Sequence, residues 1–224
     1  MSHWPGLLKL AADRSDDNLE DCRNLPTERA TRHRYSSQDN EWVTDTVEVR
    51  LPGIKIGEGG CREVHLMYTK TKVGTWAKMV VKVDLDYTAY TAAENLERAK
   101  DGSKMQAIVA NVGRRFNRQD PPVKIDVVES FAIEVPVSEH RMEVYVGSFE
   151  AFIPGDFVKH NDPNGYLVGM EQGFTNRGHR MRQTPQAFSH FSWHDSEGEM
   201  FVADVQGVQG GRDAAFLLCI RTVY

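Results

Sequence analysis

Between Gln183 and Val208 the apolar period of the chain changes, and that change constrains the fold more than any other stretch. The segment QTPQAFSHFSWHDSEGEMFVADVQGV opens on a helical pattern: Thr184 can cap, Pro185 suits a first turn, and Phe188 and Phe191 lie three apart on one face. Ser196-Glu197-Gly198 makes a turn. From Met200 the residues alternate, with Phe201, Ala203 and Val205 on one side and Met200, Val202, Asp204 and Gln206 on the other. A carboxylate and an amide oxygen are thus expected together on one strand face. The pair suits phosphoryl transfer, in which one side chain orients an attacking hydroxyl and another oxygen holds magnesium over the phosphates. Asp-x-Gln-Gly is equally an ordinary exit from a strand.

The middle of the chain is β-patterned from Glu41. Val47, Val49 and Leu51 alternate, Pro52-Gly53 interrupts, and Ile54 and Ile56 lead into GEGGCREV, Gly57 to Val64. A turn holding Gly57, Gly59 and Gly60 between strands lets backbone N–H groups approach phosphate oxygens, because no side chain keeps them away. It matches neither a Walker loop nor a dinucleotide fingerprint. In the partner strand TWAKMVVKVDL, Lys82 shares a face with Trp76 and Val80, where its amine either meets an anion or snorkels to water.

Helical spacing follows. Ala92, Ala93, Leu96 and Ala99 fit one helix, Asp101-Gly102 is read as its break, and Met105, Ile108, Val109, Val112 and Phe116 mark a second helix ended by Pro121-Pro122. Strands are expected at 123–127, 131–137 and 141–153. The loop PGDFVKHNDPNG carries Lys159, Asn161 and Asn164, and composition leaves it either functional or merely irregular.

With 224 residues and 40% hydrophobic content the chain can hold two lobes. A net charge of -5, with no basic cluster, excludes a general nucleic-acid binder. Cys22, Cys61 and Cys219 are too few and scattered for a disulfide framework, and the apolar run Leu7 to Leu10 is far too short to span a membrane. A soluble cytoplasmic protein is expected.

Three segments, FVKHNDPNGY (Phe157 to Tyr166), TPQAFSHF (Thr184 to Phe191) and VADVQGV (Val202 to Val208), resemble the atypical alpha-kinase family. LEDCRNLPTERATRHRY (Leu19 to Tyr35), with Ser2-His3-Trp4 before it, looks like the members that act on elongation factor 2. The resemblance implies an α+β, two-lobed, kinase-like fold: a curled antiparallel N-lobe sheet at about 41–150, an incomplete α+β C-lobe at about 151–224, and a regulatory segment at 1–40. It implies an ATP-dependent protein serine/threonine kinase. Gly57, Gly59 and Gly60 would cover the phosphates, although the acidic Glu58 departs from the usual turn. Arg62 would help to hold nucleotide, Lys82 would contact the α- and β-phosphates, and Glu150 would face the adenine, with Pro154 in place of the usual acid. Asp204 would be the catalytic aspartate, Gln206 a magnesium ligand and His190 the first of four zinc ligands. Elongation factor 2 is the implied substrate, and calmodulin the implied activator through Trp4.

After Val208 the likeness stops. QGGRDAAFLLCIRTVY lacks the family's Thr-Asp-Pro segment and its remaining zinc ligands; Asp213 stands nine residues after Asp204, followed by Ala214, and receives no metal role. His190 with the single Cys219 cannot complete a four-ligand zinc site. The expectation is therefore a weak C-terminal lobe in which Phe216 to Ile220 is an apolar tail without partners. A truncated, catalytically inactive nucleotide- or partner-binding protein is the alternative reading.

Overall fold

A computed structural model describes residues 20–162, 176–209, 216–219 and 222–223. After a single helical turn at Glu20–Arg23 the elements in order begin with β1 (Glu28–Ser36), β2 (Glu41–Arg50), β3 (Lys55–Glu58), β4 (Arg62–Lys70) and β5 (Trp76–Asp84). Helix α1 (Ala92–Asn117) leads to β6 (Ile125–Val127), β7 (Ser130–Val135), β8 (Tyr145–Ala151) and β9 (Phe157–Lys159). Helix α2 (Asn176–Asp195) precedes β10 (Val202–Ala203), β11 (Gln206–Gln209), β12 (Phe216–Cys219) and β13 (Thr222–Val223). The described residues fall into two compact units, one of 20–104 with 130–152, the other of 105–129 with those from 153 onward. No described helix is long and apolar enough to cross a membrane.

The first unit is built on one antiparallel sheet in the order β2-β1-β7-β8-β5-β4-β3, and β2 also pairs with β4 through Val49 and Arg50. The sheet therefore curls until β2 closes on β4, as the resemblance implies. Sheet twist favours such curling, and closure leaves fewer edges open. The sheet starts at Glu28, not at Glu41. The charge-rich TERATRHRY forms β1, in which Arg32 lies opposite Asp45 in β2 and donates from Nε to Oδ1 at 2.8 Å. Strands β5 and β8 approach so closely that a Cβ on Gly147 would lie 2.8 Å from the Lys82 carbonyl oxygen and 2.8 Å from a Val81 methyl. Glycine is required there.

Asp101-Gly102 does not break the helix. Helix α1 runs unbroken for 26 residues, its start fixed by a reciprocal cap in which Thr91 Oγ1 accepts from the Glu94 N–H and the Glu94 carboxylate accepts from the Thr91 N–H at 2.8 Å. An interior glycine costs about 1 kcal/mol against alanine. Ala99, Val109, Val112 and Phe116, all buried, outweigh that cost.

In the second unit Val109, Val112, Phe116, Ile125, Val127, Phe188, Val202 and Val205 form one core. Phe116 stands edge-on to both Phe188 and Phe191, with ring centroids 5.6 and 5.5 Å away. Helix α2 starts before Pro185, which lies inside it rather than in its first turn. Strand β12 sits between β11, antiparallel, and β6, parallel, within a sheet ordered β6-β12-β11-β9. Phe216–Cys219 is thus an inner strand of that sheet, and the expectation of a partnerless tail is corrected. Its backbone groups are satisfied on both sides, which a run of apolar residues can disclose only once its neighbours are known.

Candidate functional site

Each unit gathers its own set of polar side chains. In the first, the GEGG turn joins β3 to β4 and is closed by the Gly59 N–H donating to the Arg62 carbonyl at 2.8 Å. No neighbour lies within 4 Å of a Cβ built on Gly60, so space above the turn and not crowding beneath it is what the glycine provides. The acidic Glu58 is accounted for: Lys55 pairs with it and with Glu63, the latter at 2.7 Å, which ties the two strands of the hairpin together.

Lys82 lies in mid-β5 opposite Val64 and Ser148. Its Nζ is 2.5 Å from Oε1 of Glu150, which is only 5% exposed in β8. The apolar surroundings of the lysine are therefore compensated by a carboxylate. Glu150, which the resemblance sets against the adenine, is in the structure the partner of the Lys82 amine. Arg62 and Lys82 line one concavity with Asp84, Tyr87, Asn95 and Ser148. Arg62 donates from Nε to Oδ1 of Asp84 at 2.7 Å, and Arg98 on α1 donates from Nε to Oδ2 of the same carboxylate at 2.9 Å.

In the second unit, β9 pairs antiparallel with β11 and sets Lys159 opposite Gln206. The Lys159 ammonium is 2.6 Å from Oδ1 of Asp204. Asp204 does not continue a strand. It separates β10 from β11 with φ at +54°, in the left-handed region, and is 3% exposed. The alternation that placed Asp204 and Gln206 on one strand face is broken at the aspartate itself. Residues 202 to 205 are all buried, so alternation there carries no information on which side faces solvent. A non-glycine residue is held in this region only when its surroundings over-determine it.

The surroundings are explicit. The Asp204 N–H donates to the Asp162 carbonyl at 3.4 Å, and the Val205 carbonyl accepts from the His160 N–H at 2.8 Å. Asn161, fully buried, accepts from the Val205 N–H through Oδ1 at 2.7 Å and donates through Nδ2 to Gln186 Oε1 and Ser189 Oγ on α2. The segment 157–162 is therefore the frame of Asp204. The composition of that segment alone left it open between loop and function. Lys159 and Asn161 are the functional candidates that sequence reasoning did not assign; the available signal was a lysine two residues before an asparagine in a segment otherwise free to be irregular.

Oxygen donors of the kind that Asp204 and Gln206 carry suit magnesium. Zinc does not fit the described residues. His190 is exposed on α2 with Nε2 3.3 Å from Nε2 of His194, and among the described residues no group of three or more His, Cys, Asp or Glu could hold a metal. A structural zinc takes four ligands. Trp4, Asn164 and Asp213 lie outside the described residues.

Comparison with known proteins places these residues in context. A profile described as the Alpha-kinase family matches residues 57–219. Alpha-protein kinase 1 of Dictyostelium discoideum is 33% identical over 188 residues, 84% of this chain and 13% of that protein. Eukaryotic elongation factor 2 kinase of Homo sapiens is 31% identical over 193 residues, 85% of this chain and 24% of that protein. The chain thus spans about a quarter or less of the length of these relatives. Among solved structures, the inactive alpha-kinase domain of myosin heavy chain kinase A in complex with ATP superposes with a TM-score of 0.67 at 23% identity, covering 88% of this chain and 84% of that one.

Proposed function

The chain belongs to the alpha-kinase family, and we propose that it transfers the γ-phosphoryl group of ATP to a serine or threonine hydroxyl of a protein. The observation that carries this reading is Asp204: a buried carboxylate, held in the left-handed region between two strands, with the Lys159 ammonium 2.6 Å away. A carboxylate so fixed is suited to orient a substrate hydroxyl, since it cannot turn away from the incoming group.

In this mechanism the hydroxyl oxygen attacks the γ-phosphorus while the bond to the β,γ-bridging oxygen breaks. The hydroxyl proton passes to the Asp204 carboxylate, and ADP leaves. Lys159 fixes the carboxylate. Arg62 and Lys82 hold phosphate oxygens, Glu150 holds the Lys82 amine, and Gly57, Gly59 and Gly60 admit backbone N–H groups to the phosphates. Gln206 would hold magnesium, which supplies neutralisation of phosphate charge when bound.

Elongation factor 2 is proposed as the substrate, on the strength of the relatives whose name states that activity; such a substrate would place the protein in the cytoplasm. Regulation is proposed for the expected segment 1–40 apart from Glu28–Ser36, which form β1 of the sheet. Calmodulin is proposed as activator through the segment at Trp4, where Leu8 four residues on suits an aromatic anchor in a hydrophobic groove. The test is transfer from labelled ATP to elongation factor 2, with and without calcium-loaded calmodulin, by the chain and by Asp204→Ala. Transfer that Asp204→Ala abolishes is expected. Equal transfer by the variant, or none from a folded chain that binds ATP, would overturn the catalytic reading.

A further inference from the structure

Arg62 does not stand alone above the concavity it shares with Lys82. Its guanidinium is gripped at Nε by Oδ1 of Asp84 at 2.7 Å, which leaves both terminal nitrogens for another acceptor. The other oxygen of Asp84 accepts from Nε of Arg98 at 2.9 Å, and Arg98 reaches on to both oxygens of Asp86, at 3.2 and 2.9 Å. One carboxylate at the end of β5, two residues after Lys82, thereby joins the arginine that follows the glycine turn to helix α1.

Helix α1 makes room for this grip. A Cβ on Gly102 would lie 3.3 Å from Nη2 and 3.7 Å from Nη1 of Arg62. Gly102, read from the sequence as a helix break, is the residue beside which the end of the guanidinium lies. The conformational cost of an interior glycine is explained if the guanidinium must occupy that space.

We propose that Asp84 is a positioning residue that, anchored by Arg98 and with Gly102 beneath, aims the free edge of the Arg62 guanidinium at the phosphates of a bound nucleotide. The proposal rests on the nucleotide role assigned to Arg62. Charge alone argues the opposite effect: a carboxylate beside a phosphate-binding arginine repels phosphate and weakens binding. The sign of the change on neutralising Asp84 therefore separates positioning from simple electrostatics.

The experiment measures ATP and adenosine affinity of the full chain by calorimetry, for wild type, Asp84→Asn, Arg62→Ala and the double variant. Asp84→Asn is expected to weaken ATP roughly tenfold, the weight of one well-aimed charge-assisted hydrogen bond, and to leave adenosine unchanged. Added to Arg62→Ala, it is expected to cost nothing more, because the two residues act as a unit. Gly102→Leu supplies an independent perturbation: leucine is a better helix former than glycine, yet it displaces the guanidinium, so ATP affinity falls while the melting temperature does not. Unchanged or tighter ATP binding by Asp84→Asn beside a loss in Arg62→Ala would overturn the positioning role and leave the nucleotide role of Arg62 standing. Additive losses would overturn it too. Unchanged ATP affinity in Arg62→Ala would remove the nucleotide role itself, and the positioning role with it.

Discussion

The ammonium of Lys159 lies 2.6 Å from Oδ1 of Asp204, and the register of β9 on β11 sets that lysine opposite Gln206. One antiparallel pairing thus collects a cation, a carboxylate and an amide from two segments far apart in the chain. It follows that Asp204 is oriented by a residue outside its own motif.

Lys159→Met should lower the turnover of phosphate transfer by roughly a hundredfold, the scale seen when one preorganised electrostatic partner is removed. Half-saturation by ATP should move far less, because Lys159 belongs to the frame of Asp204 and not to the residues assigned to phosphate. Lys159→Arg should retain part of the rate. Steady-state kinetics decide this: a loss confined to ATP half-saturation at unchanged turnover would assign Lys159 to nucleotide binding instead.

Glu150→Gln should destabilise the chain by roughly 3 kcal/mol, since it strands the Lys82 ammonium beside a neutral amide with side chains only 15% and 7% exposed. Lys82→Met alone should cost a similar amount. The double variant Lys82→Met/Glu150→Gln should recover part of the loss, because the pair of charges is then removed together. Urea denaturation of the four proteins measures the coupling. Simple additivity would mean that the pair contributes nothing specific.

The pH dependence of stability should contain a contribution from His33. Its Nδ1 lies 3.3 Å from Thr44 Oγ1, and its Nε2 is buried with no partner among the described residues. Burial lowers the imidazole pKa, the charge of Lys100 lowers it further, and Glu134 and Glu97 oppose both. The folded chain therefore resists protonation that the unfolded chain accepts near pH ~6.5. Stability associated with neutral His33 is present above that pH and is lost as the pH falls from about 6.5 toward the lowered folded value. The urea midpoint of His33→Phe should consequently fall less than that of the wild type between about pH 7.5 and 5.5. Parallel slopes would show that His33 is equally proton-accessible in both states.

Legibility in the sequence followed the physics of each element. The hairpin around the glycine turn was readable from its turn residues and not from burial, since β3 is largely exposed and Leu66 to Thr69 of β4 are buried in succession. Of the helical face expected from Met105 to Phe116, Val109, Val112 and Phe116 are buried while Met105 and Ile108 are exposed, so the period located the helix but drew its buried stripe too wide. Strand β1 was not, because its stabilising contacts are ion pairs such as Arg32 with Asp45, and arginine-rich stretches look alike whether paired or solvated. The supposed break at Gly102 misled because propensity counts only local cost, and the Arg62 guanidinium that occupies the space is contributed by another element.

By itself the sequence determined which chemical groups exist and in what local order: a glycine turn before Arg62, a lysine in the following strand, and an aspartate and a glutamine near a helix-to-strand passage. Those are properties of neighbouring residues, written in spacing and period. Only the tertiary structure decided what each group meets: Glu150 for Lys82, Asp84 for Arg62, Lys159 and the Asn161 frame for Asp204. Burial makes the isolated charges costly and the backbone N–H groups obligatory donors, so their partners must be supplied. They are supplied from strands and helices remote in sequence, whose pairing no local pattern records.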